Sequence, residues 1–490
     1  MANRTGIIGS GIGGLASAIH LVARGYDVTV FEKNNTPGGK LGELKINGFR
    51  FDTGPSVFTL PELVDELFHI AGRNPRDYFD YLELEQSCKY FFDDGTIVNA
   101  QQNINEFAKE LKDKIGEQPE NLFHFLNKSK TIYELTSDVF VFKSIHDRKN
   151  LFRKQSLKAL FNFNKIDAFR TMHEANSRYF SKEKVTRMFD RYATYNGSDP
   201  YKAPATLNII PHLEHNKGTY FPKGGMYSII KAIYKLAKEM GVTFYFNNKV
   251  EKAKYQNKRI TAIETANGKW EMDYFVSDMD VQTFYSDVFK DEKLLEKNKK
   301  HEKSSSALIF YWGMNIEFPN LKLHNIFFAE DYKEEFNSLF ERKEIYKDPT
   351  VYIYISSKQV PADAPEGKEN WYVMINAPEN VGQNWDAFKG KARASMVNKL
   401  NRILNTNIED FIEFEKKIDP VDIEEQTSSF HGSLYGNSSN NKFSAFNRHP
   451  NFSNRFKNLF FVGGSVHPGG GIPLCLASAK IVSDKLKQGN

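Results

Sequence analysis

The N-terminal stretch RTGIIGSGIGGLASAIHLVARGYDVTVFEKN restricts this chain more than any other. It reads as a short strand ending at Ile8, a glycine turn, a helix through Leu15, Ile19, Leu21 and Val22 stopped by Gly25, and a second strand, DVTVFE. Gly9, Gly11 and Gly14 form a GxGxxG, and Glu32 follows Gly14 by eighteen residues. That spacing is the layout of a dinucleotide-binding βαβ unit. Gly9 permits the tight turn, Gly11 lets a pyrophosphate approach the backbone, and Gly14 lets helix and strand touch. The free N–H groups at the helix start, around Ile12 and Gly13, add the positive end of the helix dipole. Glu32, with Lys33 beside it, is placed to receive the adenosine ribose hydroxyls.

A second glycine pair decides which dinucleotide. PGGKLG supplies Gly38, Gly39 and Lys40, and FDTGPSVFT supplies Asp52, Gly54, Pro55, Ser56 and Val57. A nicotinamide cofactor has no need of this second turn, whereas FAD, walled along its whole length, does. The far end of the chain closes the site. In NLFFVGGSVHPGGGIPLCLASAKIVSDKL a buried strand leads through a glycine-rich crossing into a helix that begins near Ile472 and Pro473. Proline suits a first helical turn, where its missing N–H is not needed. Gly463 and Gly464 let the backbone pass beside a ribityl chain, and Gly469–Gly471 let the helix aim its positive end at a flavin ring. The expected cofactor is FAD, held by a discontinuous domain.

These blocks carry a resemblance. GIIGSGIGGLASA, GGKLGE, GFRFDTGPSVFT, YFPKGGMYSII and GGSVHPGGGI stand in the order found in the bacterial-type phytoene desaturases and related carotenoid desaturases, a branch of the amine-oxidase-like flavoproteins. The similarity spans essentially the whole chain. It implies an α/β fold: a Rossmann-like FAD-binding domain, a mixed-sheet substrate domain and a helical, membrane-facing region. The boundaries expected are 1–60, 218–282 and 440–490 for the FAD domain, 61–130 and 283–439 for the substrate domain, and 131–217 for the helical region. Val250 resembles the residue whose backbone reads the adenine. His467 lies beside the flavin by motif and is a catalytic candidate, with a turn-forming or helix-capping role as the competing reading.

The activity implied is FAD-dependent desaturation: two hydrogens leave adjacent saturated carbons of a carotenoid, one as hydride to the flavin and one as a proton. PLCL, at Pro473–Leu476, looks less like phytoene-acting members than like those acting on hydroxylated carotenoids. Leu474 would narrow the slot and favour a chain already flat and conjugated. The expected reaction is 3,4-desaturation of a 1′-hydroxylated, γ-carotene-type substrate. Phytoene desaturation to a lycopene-like product and a carotenoid oxidase or ketolase on the same scaffold stay open, with quinone or oxygen as electron acceptor.

Bulk properties bound the alternatives. A chain of 490 residues exceeds one compact core. A net charge of +5, without basic runs, gives no reason to expect nucleic acid. Two cysteines, Cys88 and Cys475, fit a reducing compartment. Aromatic residues reach 14%, a value that codon bias or a ring-lined channel would each explain. In SALIFYWGM, Leu308, Phe310 and Trp312 share one face of a strand, which is core or, by resemblance, the floor of a polyene tunnel. TLPELVDELFHIAG predicts a helix with Thr59 and Glu62 as a capping box. His212 and His215 are three apart, but no further ligand pattern follows, so no metal site is expected. KSIHDRKNLFRKQSLKALFNFNK combines seven basic residues with an apolar face, which suits an interfacial segment. The expected location is cytoplasmic, on the inner face of the membrane.

Overall fold

The computed structural model describes residues 2–151, 153–154, 162, 165–290, 301–441 and 444–487. Three distant parts of the sequence supply a five-stranded parallel sheet, in the order Leu459–Phe461, Tyr274–Ser277, Arg4–Ile8, Asp27–Phe31 and Thr243–Tyr245. Alternation along these strands sends Ile7, Val28, Val30, Val276 and Phe460 to one face. That face buries the helices Ile12–Val22, Glu62–Ile70, Tyr227–Glu239 and Ile472–Lys487 in one core. Ile8, Phe31, Phe275 and Phe461 point the other way, against Val250 and Ile263 of a three-stranded antiparallel sheet. The N-terminal and C-terminal helices pack directly on each other, which brings the two ends of the chain to one site.

The second sheet has seven strands, in the order Ile412–Ile418, Ser306–Met314, Glu369–Ala377, Val351–Ile355, His324–Phe327, Gln86–Phe91 and Ile97–Gln101. All neighbours are antiparallel except His324–Phe327 with Gln86–Phe91. Leu308, Phe310 and Trp312 do share a face, and it is core: they pack with Val373, Ile375 and the helix Trp385–Leu404. The alternate residues Ala307, Ile309 and Tyr311 face a cavity instead. A period of two fixes which residues travel together but not which set meets solvent-free space.

Two further expectations shift. The capping box at Thr59 and Glu62 does not form: the helix starts at Glu62 after Pro61, with no side-chain cap. Leu60 takes a left-handed conformation (φ 52°) that turns the chain there, and Thr59 lines the cavity. The 60/61 boundary also moves, because Val64, Leu67 and Phe68 belong to the first core. The helix Pro119–Phe140 runs across the 130/131 boundary, and its Leu122, Phe125 and Leu126 pack with Tyr90 and Val98 of the second sheet. Among the described residues, no helix is long and apolar enough to cross a membrane. Of the basic-apolar segment, Phe152, Leu157, Lys158, Leu160, Phe161 and Phe163 lie outside the described residues.

Candidate active site

The glycine turn at the start of the chain is built for an anion. Gly9 has φ 96°, and a Cβ on Gly14 would sit 2.3 Å from the Gly9 carbonyl oxygen, so neither position admits a side chain without backbone movement. The Asp278 carboxylate lies against this turn, where the backbone N–H groups of Gly14 and Gly11 favour its charged form. A Cβ on Gly11, Gly13 or Gly463 would come within 2.4, 2.6 and 2.4 Å of Asp278 oxygens. Three backbone segments thus converge on one negatively charged group. Burial lifts the Asp278 pKa to about 7, against the pull of the Gly14 and Gly11 N–H bonds. Asp278 was not singled out in the sequence, where SDMD carries no spacing signal.

Glu32 is 5% exposed and stands where the βαβ unit requires. Its Oε2 accepts from Ser10 N (2.8 Å) and Ser10 Oγ (2.7 Å), and its Oε1 from Asn34 N (2.9 Å). Lys33 turns away and donates to the Glu425 carbonyl at 2.6 Å. The second glycine turn docks on the first: Gly38 N donates to Ser10 O at 2.9 Å, and Gly38 bridges Gly11. Lys40 reaches across to the carbonyls of Ser433 and Leu434, and burial lowers its pKa. Ile12 packs at the edge of the first core, and Val250 is buried where its strand pairs with Thr265.

Two of the sequence blocks meet through Asp52. Its carboxylate receives the N–H groups of Met226 and Tyr227, each at 3.0 Å, and so caps the helix Tyr227–Glu239 from a distance. Arg50 pairs with Asp52, and Gly225 leaves it room: a Cβ there would lie 2.2 Å from Arg50 Nη1. The FDTG and KGGMYS motifs are two halves of one joint.

Between the two sheets lies a cavity of about 800 Å³. Gly39, Lys40, Gly54, Pro55, Ser56 and Val57 line it from the N-terminal blocks, and Gly471, Ile472, Pro473 and Leu474 from the C-terminal crossing. The seven-stranded sheet contributes Ile309, Tyr311, Tyr352, Tyr372 and Met374. The cavity therefore joins the second glycine turn and the C-terminal crossing to a ring-lined, largely apolar space, while Gly9, Gly11, Gly14 and Glu32 are not among its lining residues. Gly463 and Gly464 lie in the crossing itself, where Gly464 would bring a Cβ to 3.3 Å from Gly470 Cα. Cys475 is buried, and burial pushes its thiol up to about 12.

His467 does not line this cavity. It is 2% exposed, its Nε2 shares a 2.9 Å hydrogen bond with the Lys143 carbonyl, and its carbonyl accepts from Asn451. Burial lowers its pKa to about 4. A neutral ring tied to backbone is a fastener between the crossing loop and the helical region, and the catalytic expectation gives way to that role. His212 and His215 are likewise buried and bonded, to Asn216 and Tyr192. Among the described residues no three His, Cys, Asp or Glu side chains gather as metal ligands would.

The parallel sheet, the anion-seating glycine turn and the returning C-terminal helix define a flavoprotein oxidoreductase. The family model for flavin containing amine oxidoreductases matches residues 12–486, and the chain belongs to that family. It is 47% identical over 484 residues to a 1-hydroxycarotenoid 3,4-desaturase of Flavobacterium sp. (strain P99-3), covering 99% of both chains. It is 31% identical to a 4,4'-diaponeurosporene oxygenase of Staphylococcus haemolyticus (strain JCSC1435), over 98% of this chain and 96% of that one. Among solved structures, putrescine oxidase bound to putrescine superposes with a TM-score of 0.63 at 12% identity, covering 100% of this chain and 99% of that one, a likeness of fold alone. FAD is the cofactor. The turn suits it: a carboxylate already lies against its backbone N–H groups, and glycines clear the approach.

Proposed function

We propose that this protein is a carotenoid desaturase that introduces the 3,4 double bond of a hydroxylated carotenoid. The observation that carries this reading is the cavity running from the second glycine turn and the C-terminal crossing under an aromatic-lined sheet face, in a chain similar end to end to a protein named for that reaction. FAD bound in the cradle supplies the two-electron acceptor for the hydrogen that leaves as hydride. The protein's own part is to hold a stiff, apolar chain against that point and to keep water out, which Ile309, Tyr311, Tyr372 and Met374 do. Leu474, in the first turn of the C-terminal helix, lines the cavity.

The similarity to oxygenases supports a second reading, in which the same site adds oxygen to a polyene end. Substrates delivered one at a time in liposomes separate the two. The desaturase reading expects a loss of two hydrogens by mass and a red-shifted spectrum, with phytoene converted poorly. A gain of one oxygen favours the second, and efficient phytoene-to-lycopene turnover without action on the hydroxylated chain overturns the first. Quinone and oxygen are the acceptors to try for reoxidation.

Membrane contact follows from the substrate. Phe169 and Phe446 are 68% and 53% exposed and also line the cavity, so its rim reaches the surface. Lys149, Arg153, Lys154 and Lys165 are exposed on the neighbouring segment. An apolar rim beside basic residues suits an anionic bilayer on the cytoplasmic side. Liposome co-sedimentation that is indifferent to salt and to Lys149→Glu, Arg153→Glu and Lys154→Glu together would refute an electrostatic component.

A further inference from the structure

The cavity is largely apolar, and one buried polar cluster on its lining draws on the residues around Arg191 and Glu214. Arg191, Tyr195 and Glu214 line it there and satisfy one another. Arg191 donates to Tyr195 Oη (2.8 Å), to Glu214 Oε1 (2.9 Å) and to Tyr90 Oη (2.7 Å), and Tyr195 donates to Glu214 Oε2 (2.9 Å). Burial alone would raise the Glu214 pKa, but Arg191 beside it holds it below its usual value. The two charges are matched inside the protein, which argues against an ionic ligand.

His324 is different. It is 3% exposed and lines the same cavity, stacked at 5.4 Å on Tyr354. Its Nδ1 shares a 2.8 Å hydrogen bond with Tyr352 Oη, which in turn shares one of 2.6 Å with Ser56 Oγ. Its Nε2 is buried without a partner. Among the described residues it is the one cavity-lining side chain that leaves a buried polar atom unsatisfied. A buried polar group is not left so without cost. The ring is neutral, because burial lowers its pKa to about 4. What a neutral imidazole nitrogen in an apolar cavity accepts best is an uncharged group that both donates and accepts. A hydroxyl is such a group, and it suits either tautomer, since Tyr352 and Ser56 can reverse their donor order.

We propose that His324 Nε2, positioned by the Tyr352–Ser56 relay, binds the substrate's hydroxyl and sets which end of the chain enters. Ser56, two residues past Gly54, lines the same cavity as Tyr352 and His324, so the relay stands on its wall. The substrate is taken to carry its hydroxyl at carbon 1, as the name of the related desaturase has it, and not at the primed end. The inference rests on the desaturase reading.

The test uses flavin-loaded enzyme and three substrates: a carotenoid hydroxylated at carbon 1, the same chain without the hydroxyl, and the chain hydroxylated only at the opposite end. For the wild type, kcat/KM should favour the first over the other two. In His324→Phe that preference should fall about 10- to 100-fold, mainly through KM, as expected for a lost hydrogen bond to a substrate hydroxyl. His324→Gln should restore part of it, and Tyr352→Phe should lower it by a smaller factor. Unchanged flavin absorption and melting temperature establish that a variant is folded, and Tyr352→Phe carries the test if His324→Phe is not. An unchanged preference, or a Gln variant no better than Phe, overturns the role of His324 and leaves the desaturase reading standing. A wild type that desaturates none of the three removes both.

Discussion

In the nucleotide cradle the working groups are backbone atoms, and glycines from three sequence blocks clear space for them. In the cavity under the seven-stranded sheet the working groups are side chains drawn from many strands and helices, with no local motif among them. The first region tolerates almost no added atom, since a Cβ on Gly14 would lie 2.3 Å from the Gly9 carbonyl. The second is defined by one sheet face, and many apolar side chains of similar volume would line it.

The sharpest way to break this comparison is at Gly14. Gly14→Ala pushes a methyl group into backbone at the turn, so the helix must move away from the strand. FAD retention should be lost altogether, with purified protein colourless and not reconstituted by added FAD. A yellow Gly14→Ala protein of ordinary affinity would mean that the cradle is not as tight as the geometry makes it.

The two faces of the sheet give the next contrast. Trp312 is fully buried against the helix Trp385–Leu404 side and donates from its indole to Glu415 at 2.8 Å. Trp312→Ala should cost about 3–5 kcal/mol of stability. Its neighbour Tyr311 lines the cavity, and Tyr311→Phe should cost about 1 kcal/mol or less while changing KM for the polyene. Denaturant unfolding alongside steady-state kinetics measures both. A stability loss at Tyr311 equal to that at Trp312 would erase the distinction between a structural and a functional face.

How far the sequence could be read follows the same division. Glycine spacing is a local code, because each glycine answers a steric demand made within a few residues. The tight turns at Gly9, Gly14, Gly38 and Gly54 were therefore legible, and so was the return of the C-terminal block beside the N-terminal helix. Side-chain sites assembled by topology are not local. His324, Tyr352, Arg191 and Glu214 come from four separate elements, and nothing in their flanking residues marks them. Leu308, Phe310 and Trp312 were grouped correctly by period but could not be assigned to core or cavity until the sheet's neighbours were known. His467 misled because it stands inside a glycine-rich motif, where adjacency in sequence looks like adjacency to chemistry.

The smallest predicted effect probes a residue of the cradle that spacing did not reveal. Burial lifts the Asp278 pKa from 3.8 to about 7 in the ligand-free protein. A raised folded-state pKa means that this group's contribution to stability is full below about pH 4 and is lost as pH rises through 7. The same sign governs the cofactor. A diphosphate brought to the glycine turn beside Asp278 adds negative charge near it and raises its pKa further, so FAD binding should take up a proton. Affinity for FAD should then fall as pH rises through 7, by about tenfold per pH unit at most. Asp278→Asn removes the titrating charge but keeps a hydrogen-bonding side chain. It should flatten the dependence and bind FAD more tightly than wild type at pH 8, with little difference at pH 6. Flavin-fluorescence titration of the two apoproteins at both values decides it. Parallel pH profiles for the wild type and Asp278→Asn would mean that the carboxylate leaves the seat without gaining a proton, and that the cradle's preference for an anion comes from its backbone alone.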